Sequence, residues 1–116
     1  MVSERWRPDY VCEETAVAYA ISHFWPGGTE EQYEREIRLV HPADGSLPAG
    51  QLFHAAGVAD GGIYIFAIHE SKQSWEDFRD NVLMPIASQV VDGFPAPPVE
   101  RDAELFHVWP SHILGG

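Results

Sequence analysis

The sequence GGIYIFAIHES, residues 61–71, decides the fold of this 116-residue chain. Six apolar or aromatic residues follow one another between a glycine pair and a histidine. A run this short, apolar and rich in β-branched residues predicts a strand that is buried on both faces. A domain of this size does not cover both faces of its central strand by itself. We therefore expect one face of the sheet to need a partner or a cover.

The composition is that of an acidic globular domain, with 45% hydrophobic and 22% charged residues. Seven basic residues against eighteen acidic ones give a formal net charge of −11. This disfavours nucleic acids and membranes as partners, because both attract basic surfaces. Cys12 is the only cysteine, and residues 1–14 lack the apolar core of a signal peptide. We therefore expect a cytoplasmic protein.

Turn signals divide the chain into six elements. The predicted strands are 16–25, 51–58, 61–71 and 103–109, and the helices start at Thr29 and at Ser71 or Ser74. Thr29 and Gln32 have the spacing of a capping box, and Pro85 is expected to kink or shorten the second helix. Residues 1–14 are predicted to form an N-terminal arm, and residues 15–116 a single α+β domain. The order β-α-β-β-α-β is typical of the ferredoxin-like unit.

That unit predicts a four-stranded antiparallel sheet in the order 4-1-3-2, with both helices on one face. Strands 1 and 3 are expected to be central and to run in the same direction. The bulky side chains of Tyr64, Phe66 and Ile68 suit packing under the helices, which leaves Ile63, Ile65, Ala67 and His69 on the open face. A symmetric dimer would enclose that face in a barrel. The alternative is a monomer with the N-terminal arm across it.

Three segments carry a resemblance to a known family. They are FWPGGT (24–29), GQLFHAAG (50–57) and IHES (68–71), the last followed by Trp75 and Phe78. Over residues 16–114 the chain resembles uncharacterised bacterial members of the dimeric α/β-barrel superfamily. That superfamily includes cofactor-independent antibiotic-biosynthesis monooxygenases, muconolactone isomerases and haem-degrading enzymes. The resemblance implies a homodimer and an oxygenase-like or isomerase-like activity, although His69 stands where such relatives often have tryptophan.

Four histidines fall one on each predicted strand: His23, His54, His69 and His107. If Asp60-Gly61 is a two-residue turn, the numbers of paired residues on strands 2 and 3 sum to 121. His54 then lies opposite Ala67 and diagonal to His69 on the same face, and Leu52 lies opposite His69. A turn longer or shorter by one residue would place the two histidines on opposite faces.

The predicted pocket is apolar and aromatic, with a few imidazoles, as is usual for a small-molecule site. Because imidazole titrates near neutral pH, His54 and His69 are the candidate catalytic acid–base residues. An acidic phenol or enol would lose a proton there and then react directly with oxygen. The candidate substrate-binding residues are Tyr19, His23, Ile65, Ala67, His107 and Trp109.

Other functions stay open. The histidines would be structural in a non-catalytic binding or assembly protein. A metal site is disfavoured because no HxH, HxxxH or HExxH spacing occurs, although haem needs only one axial histidine. We therefore expect neither a metal nor a bound cofactor, with a small molecule and a second copy of the chain as partners.

Overall fold

The computed structural model describes residues 16–87 and 93–115. Its elements are β1 (Ala18–Pro26), α1 (Glu30–Val40), β2 (Gln51–Ala59), β3 (Gly62–His69), α2 (Lys72–Phe78), a π-helical segment (Arg79–Leu83), α3 (Met84–Ala87), β4 (Val99–Leu105) and a short 3-10 helix (Ser111–Leu114). The predicted N-terminal arm, residues 1–14, lies outside the described residues.

The four strands form one sheet in the order β2-β3-β1-β4, and all neighbouring strands are antiparallel. This is the order 4-1-3-2 counted from the other edge, so the predicted sheet is confirmed. The expectation that strands 1 and 3 run in the same direction is wrong, because Tyr19 pairs with His69 and Pro26 with Gly62. The crossover through α1 makes β1 and β2 parallel, and the hairpin returns β3 between them in the opposite direction. His23 and His69 therefore lie toward opposite ends of the sheet.

The hairpin between β2 and β3 has the predicted two-residue turn. Ala59 pairs with Gly62, and Gly61 takes a positive φ of 86°, which glycine adopts without steric cost. His54 consequently lies opposite Ala67, as predicted. The prediction for Leu52 is wrong, since the register shifts between Gln51 and Phe53 and places Gln51 opposite His69. A bulge of this kind adds one residue to a strand and changes which side chains face the core.

The two faces of the sheet are the reverse of those predicted. The buried core cluster joins sheet residues Tyr19, Ile21 and Ala67 to helix residues Val40, Trp75 and Phe78. On the other face Tyr64 and Phe66 are 40% and 46% exposed. The helices supply the bulky aromatic side chains themselves, so the strand positions beneath them take smaller residues. Bulk along β3 was therefore a misleading guide to the covered face.

The last strand begins four residues earlier than predicted. The apolar run of residues 103–109 suggested a strand there, but the strand is the charged stretch VERDAEL, residues 99–105. A strand at the edge of a sheet tolerates charges, which also protect the edge from pairing with other chains. His107 and Trp109 therefore lie beyond the strand, and Trp109 is 82% exposed.

The helix starts agree with the sequence. Thr29 Oγ1 accepts from the backbone N–H of Gln32 at 3.2 Å, and the side chain of Gln32 accepts from the Thr29 N–H at 2.9 Å, which completes the capping box. Ser71 is the N-cap of α2. Pro85 does not end the helical region. After α2 the chain continues as a π-helical segment, and α-helical geometry resumes at Met84, one residue before the proline. The backbone N–H of Met84 donates to the carbonyl of Arg79, five residues back.

The close approach of β1 to Gly62 yields a test of this packing. A Cβ at Gly62 would lie 2.2 Å from the backbone oxygen of Trp25, whereas one at Gly57 would meet nothing within 4 Å. We expect Gly62→Ala to destabilise the protein by about 2 kcal/mol or more, since backbone atoms must move. Gly57→Ala, in the same hairpin, should be neutral or stabilising by up to about 1 kcal/mol. Urea unfolding measures both, and equal effects would contradict the packing described.

Candidate functional site

A cavity of about 80 Å³ lies between the sheet and the helices. The strands contribute Ile21, His54 and Ala67, and the helices contribute Tyr33, Ile37 and Trp75. The predicted cavity was on the opposite face, so its position is corrected together with the two faces of the sheet. Apolar and aromatic side chains dominate the lining, as the sequence indicated.

A second, outer cavity of about 460 Å³ adjoins the first. The two share six lining residues, namely His23, Trp25, Glu36, Trp75, Leu83 and Phe94. The charged residues Arg79 and Glu100 line the outer cavity alone, so it is more polar than the inner one. The shared side chains form the junction between the two cavities.

Three side chains from two elements and a loop meet at the inner end. The hydroxyl of Tyr33 on α1 lies 2.6 Å from Nε2 of His54 on β2, and the ring of His41 packs edge-on to His54 at 4.6 Å. Tyr33 faces inward because it shares a helical stripe with Ile37 and Val40, and His41 caps the end of that helix. Within the described residues Nδ1 of His54 is buried without a hydrogen-bond partner. One imidazole nitrogen of His54 is therefore paired with Tyr33, and the other has no partner within the described residues.

Burial keeps this group uncharged. It lowers the pKa of His54 to about 4, with smaller contributions from His41 and His69. Burial also lowers the pKa of His41 and raises that of Tyr33, helped there by Glu34. Loss of hydration disfavours the charged form of each group. Near neutral pH both imidazoles are therefore neutral and the phenol keeps its proton.

The structure places His69, the second candidate catalytic residue, in the core. Its side chain is fully buried against Trp75 and Phe78, at ring distances of 5.4 and 5.7 Å. The side-chain nitrogen of Gln51 lies 3.3 Å from its Nε2, and burial lowers its pKa to about 4. His69 is outside the described lining of both cavities, although it shares the helix-covered face with His54. Its catalytic role stays a prediction.

The six candidate substrate-binding residues are divided among three places. His23, Ile65 and Ala67 line the inner cavity, and His23 also bonds Glu100 of β4 at 2.9 Å. Tyr19 lies in the core, where its hydroxyl donates to Asp102 and where burial and that carboxylate raise its pKa. The remaining two, His107 and Trp109, contact each other beyond the end of β4, with rings 4.8 Å apart.

Sequence reasoning missed Trp25 and Glu36 as site residues. Glu36 follows Tyr33 by three positions and precedes Val40 by four, so it belongs to the same inward face of α1. Because Glu36 is acidic, the sequence placed it on the solvated surface of α1. The buried stripe of this helix was predicted from the apolar positions alone. Extending the 3.6-residue period to every residue type would have found it. Trp25 lies on the same parity as Ile21 and His23, and that parity was available from the sequence.

Two negative findings bear on other functions. Among residues 16–87 and 93–115, no group of three or more histidine, cysteine, aspartate or glutamate side chains is arranged to hold a metal ion. In that same part of the chain, no helix is both long and apolar enough to cross a membrane.

Comparison with known proteins yields one structural likeness. The sequence matches no protein-family model and no curated protein. The fold is similar to that of a crystal structure from Chloroflexus aurantiacus J-10-fl, provisionally named an antibiotic biosynthesis monooxygenase. The TM-score is 0.54 at 12% sequence identity, over 75% of this chain and 91% of the other. The likeness establishes the ferredoxin-like fold. At this identity it does not carry over an activity.

The buried imidazoles predict a pH-dependent stability. An unfolded histidine titrates near pH 6.5, whereas the pKa values of folded His54 and His69 are about 4. Stability is therefore lost as pH falls from about 6.5 to about 4, on the order of 3 kcal/mol for the fully buried His69. Glu36 has the opposite effect, because burial raises its pKa and its contribution is lost as pH rises through that value.

The variant His69→Leu isolates one of these groups. Between pH 7 and pH 4 its urea-measured unfolding free energy should fall less steeply than that of the wild type. A wild-type slope in His69→Leu would show that the pKa of His69 is not lowered in the folded state.

Proposed function

We propose that this protein is a dimeric α/β-barrel enzyme that binds a small apolar or aromatic metabolite and acts on it without a bound cofactor. The reaction is oxygenase-like or isomerase-like, and both begin with removal of a proton from an acidic phenol or enol. The supporting observation is the position of His54, which lines an apolar cavity with one ring nitrogen unpartnered among the described residues. The cytoplasm is the proposed location, in keeping with a single cysteine.

His54 supplies the proton acceptor in this proposal. When Nε2–H donates to the oxygen of Tyr33, Nδ1 holds the free lone pair and accepts the proton of the substrate. Because the pKa of His54 is about 4, its imidazole is neutral and able to accept at any physiological pH. The same low pKa makes it a weak base, so the substrate must itself be acidic.

The indole N–H of Trp25 complements this base. Trp25 lines both cavities, and its Nε1 is a buried donor without a partner among the described residues. A phenolic or enolic oxygen accepting from that N–H would gain negative charge as the proton leaves, which strengthens the bond during the reaction. Isomerisation returns the proton to a carbon atom of the enolate that is formed. Oxygenation of a phenol consumes one O₂ and yields a quinone and one water.

Dimerisation through the open face of the sheet is the second part of the proposal. Phe53, Tyr64 and Phe66 are each 40–46% exposed there, and the rings of Tyr64 and Phe66 stack at 5.4 Å. Adjacent exposed aromatic side chains on a sheet are typical of an interface. Since the cavity lies on the other face, the dimer supports the sheet from outside and does not wall the site.

A non-catalytic binding or assembly protein is the second candidate. The inner cavity of about 80 Å³ is smaller than the roughly 300 Å³ at which ligand pockets begin, and His69 is enclosed in the core as a structural histidine would be. This function predicts that a ligand binds in the outer cavity and leaves unchanged.

Replacement of His54 separates these two candidates. With 1-naphthol as the probe, we expect the wild type to consume oxygen and form quinone, and His54→Gln to be slower by about a hundredfold or more, the usual contribution of a general base. Exchange of the α-hydrogen of an enolisable ketone for deuterium in D₂O measures proton removal independently of O₂ consumption. His112→Gln, which changes an exposed histidine outside both described linings, is the matched control.

Equal rates in His54→Gln and the wild type would remove His54 from the mechanism. Binding of 1-naphthol without oxygen uptake or exchange in any of the three proteins would favour the non-catalytic function.

The dimer has its own test. Phe66→Lys places a charge in the middle of the proposed interface, and burying it would be costly, so we expect this variant to sediment as a monomer. Leu39→Lys introduces the same charge at an exposed apolar position on α1, and we expect it to remain dimeric. Sedimentation velocity at micromolar concentration measures both, and a monomeric wild type would contradict the interface.

A further inference from the structure

Glu36 is the acidic side chain at the junction of the two cavities. It lies on the inward face of α1 and lines both of them, half-buried among aromatic rings. Burial raises its pKa, and no hydrogen bond or ion pair joins it to another described residue. A half-buried carboxylate beside a cavity loses part of its hydration, which a cationic ligand would replace with an opposite charge.

The surroundings of Glu36 contain no competing cation in the inner cavity. No lysine or arginine is among the described residues that line it, and burial keeps His41 and His54 uncharged. Arg79 reaches the outer cavity but is paired with Asp80 at 2.8 Å. His23 is bonded to the carboxylate of Glu100, so any charge on that ring is offset. An anionic ligand would therefore meet Glu36 without compensation.

The walls around Glu36 favour positive charge as well. Trp25 and Phe94 stack at 4.6 Å and line both cavities, together with Trp75. The faces of indole and phenyl rings attract cations, by an amount that grows when the cation is desolvated. The formal net charge of −11 adds a long-range attraction for cations and repels anions.

We infer that this cavity selects its ligand by charge, and that the substrate is a small aromatic amine whose protonated nitrogen pairs with Glu36 against the rings of Trp25 and Trp75. This inference rests on the proposed function, because it assigns a substrate class to the same cavity. His54 and Trp25 Nε1 would act on the phenolic or enolic part of that molecule, and Glu36 would hold its amine. Glu36 is then a binding and specificity residue and takes no part in proton transfer.

Three probes of one size and different charge test the inference. Benzylamine, benzyl alcohol and benzoate share a benzyl or phenyl ring and present a cation, a neutral group and an anion near pH 7. Calorimetric titration of the full chain should show benzylamine binding about tenfold more tightly than benzyl alcohol, which corresponds to about 1.4 kcal/mol. Benzoate should bind more weakly than benzyl alcohol.

Two variants with the same charge change locate the effect. Glu36→Gln should bind benzylamine and benzyl alcohol with equal affinity. Glu34→Gln alters an exposed position on the same helix, outside the described lining of both cavities, and should keep the tenfold preference. If Glu36→Gln does not fold, Glu36→Met replaces it, since an apolar side chain of similar length suits the aromatic surroundings.

The outcomes separate this inference from the proposed function. Equal binding of benzylamine and benzyl alcohol by the wild type overturns the charge selection and leaves the cavity as a binding site. The inference is also overturned if the preference for benzylamine is retained in Glu36→Gln but is reduced in Glu34→Gln. General attraction to the acidic surface would then be the cause. Failure of all three probes to bind overturns both. Loss of the preference in Glu36→Gln alone supports the assignment.

Discussion

The pairing of Ala59 with Gly62 is the constraint on which the site depends. It fixes the register of β2 against β3, and side chains alternate strictly between the two faces of a sheet. With this register His54 lies opposite Ala67, under the helices and within reach of Tyr33. A shift of one residue would turn the imidazole to the open face. A turn of two residues, with Gly61 at positive φ, therefore determines whether the cavity contains a histidine.

The sequence predicted much of this arrangement, and its failures have physical causes. Local signals sufficed for the capping box at Thr29, the Asp60-Gly61 turn and the strand order, because each depends on neighbouring residues or on a general rule of topology. To assign the face of the sheet that the helices cover, one must know which helix residues pack on it. Trp75 and Phe78 occupy the space above Ala67, so the larger side chains of β3 point away from the helices.

The bounds of the fourth strand and the position of Glu36 in the site were not predicted, for a related reason. Residues 99–105 are charged, and an edge strand is defined by its hydrogen bonds to β1 more than by an apolar pattern. Glu36 was assigned to solvent because most acidic residues on helices are solvated. Both depend on tertiary neighbours that a single sequence does not display. The site therefore contains residues that break the local pattern, as functional sites commonly do.

The π-helical segment has a mechanical consequence for the cavities. Arg79 and Leu83, its first and last residues, line the outer cavity, and Pro85 follows it within the same helical region. Proline removes one backbone donor, and the wider turn has already exchanged regular bonds for one that spans five residues. A hydrogen-bond ladder interrupted in this way is more compliant than an unbroken α-helix. Part of the wall of the outer cavity is thus formed by helical backbone that lacks the regular hydrogen-bond ladder of an α-helix.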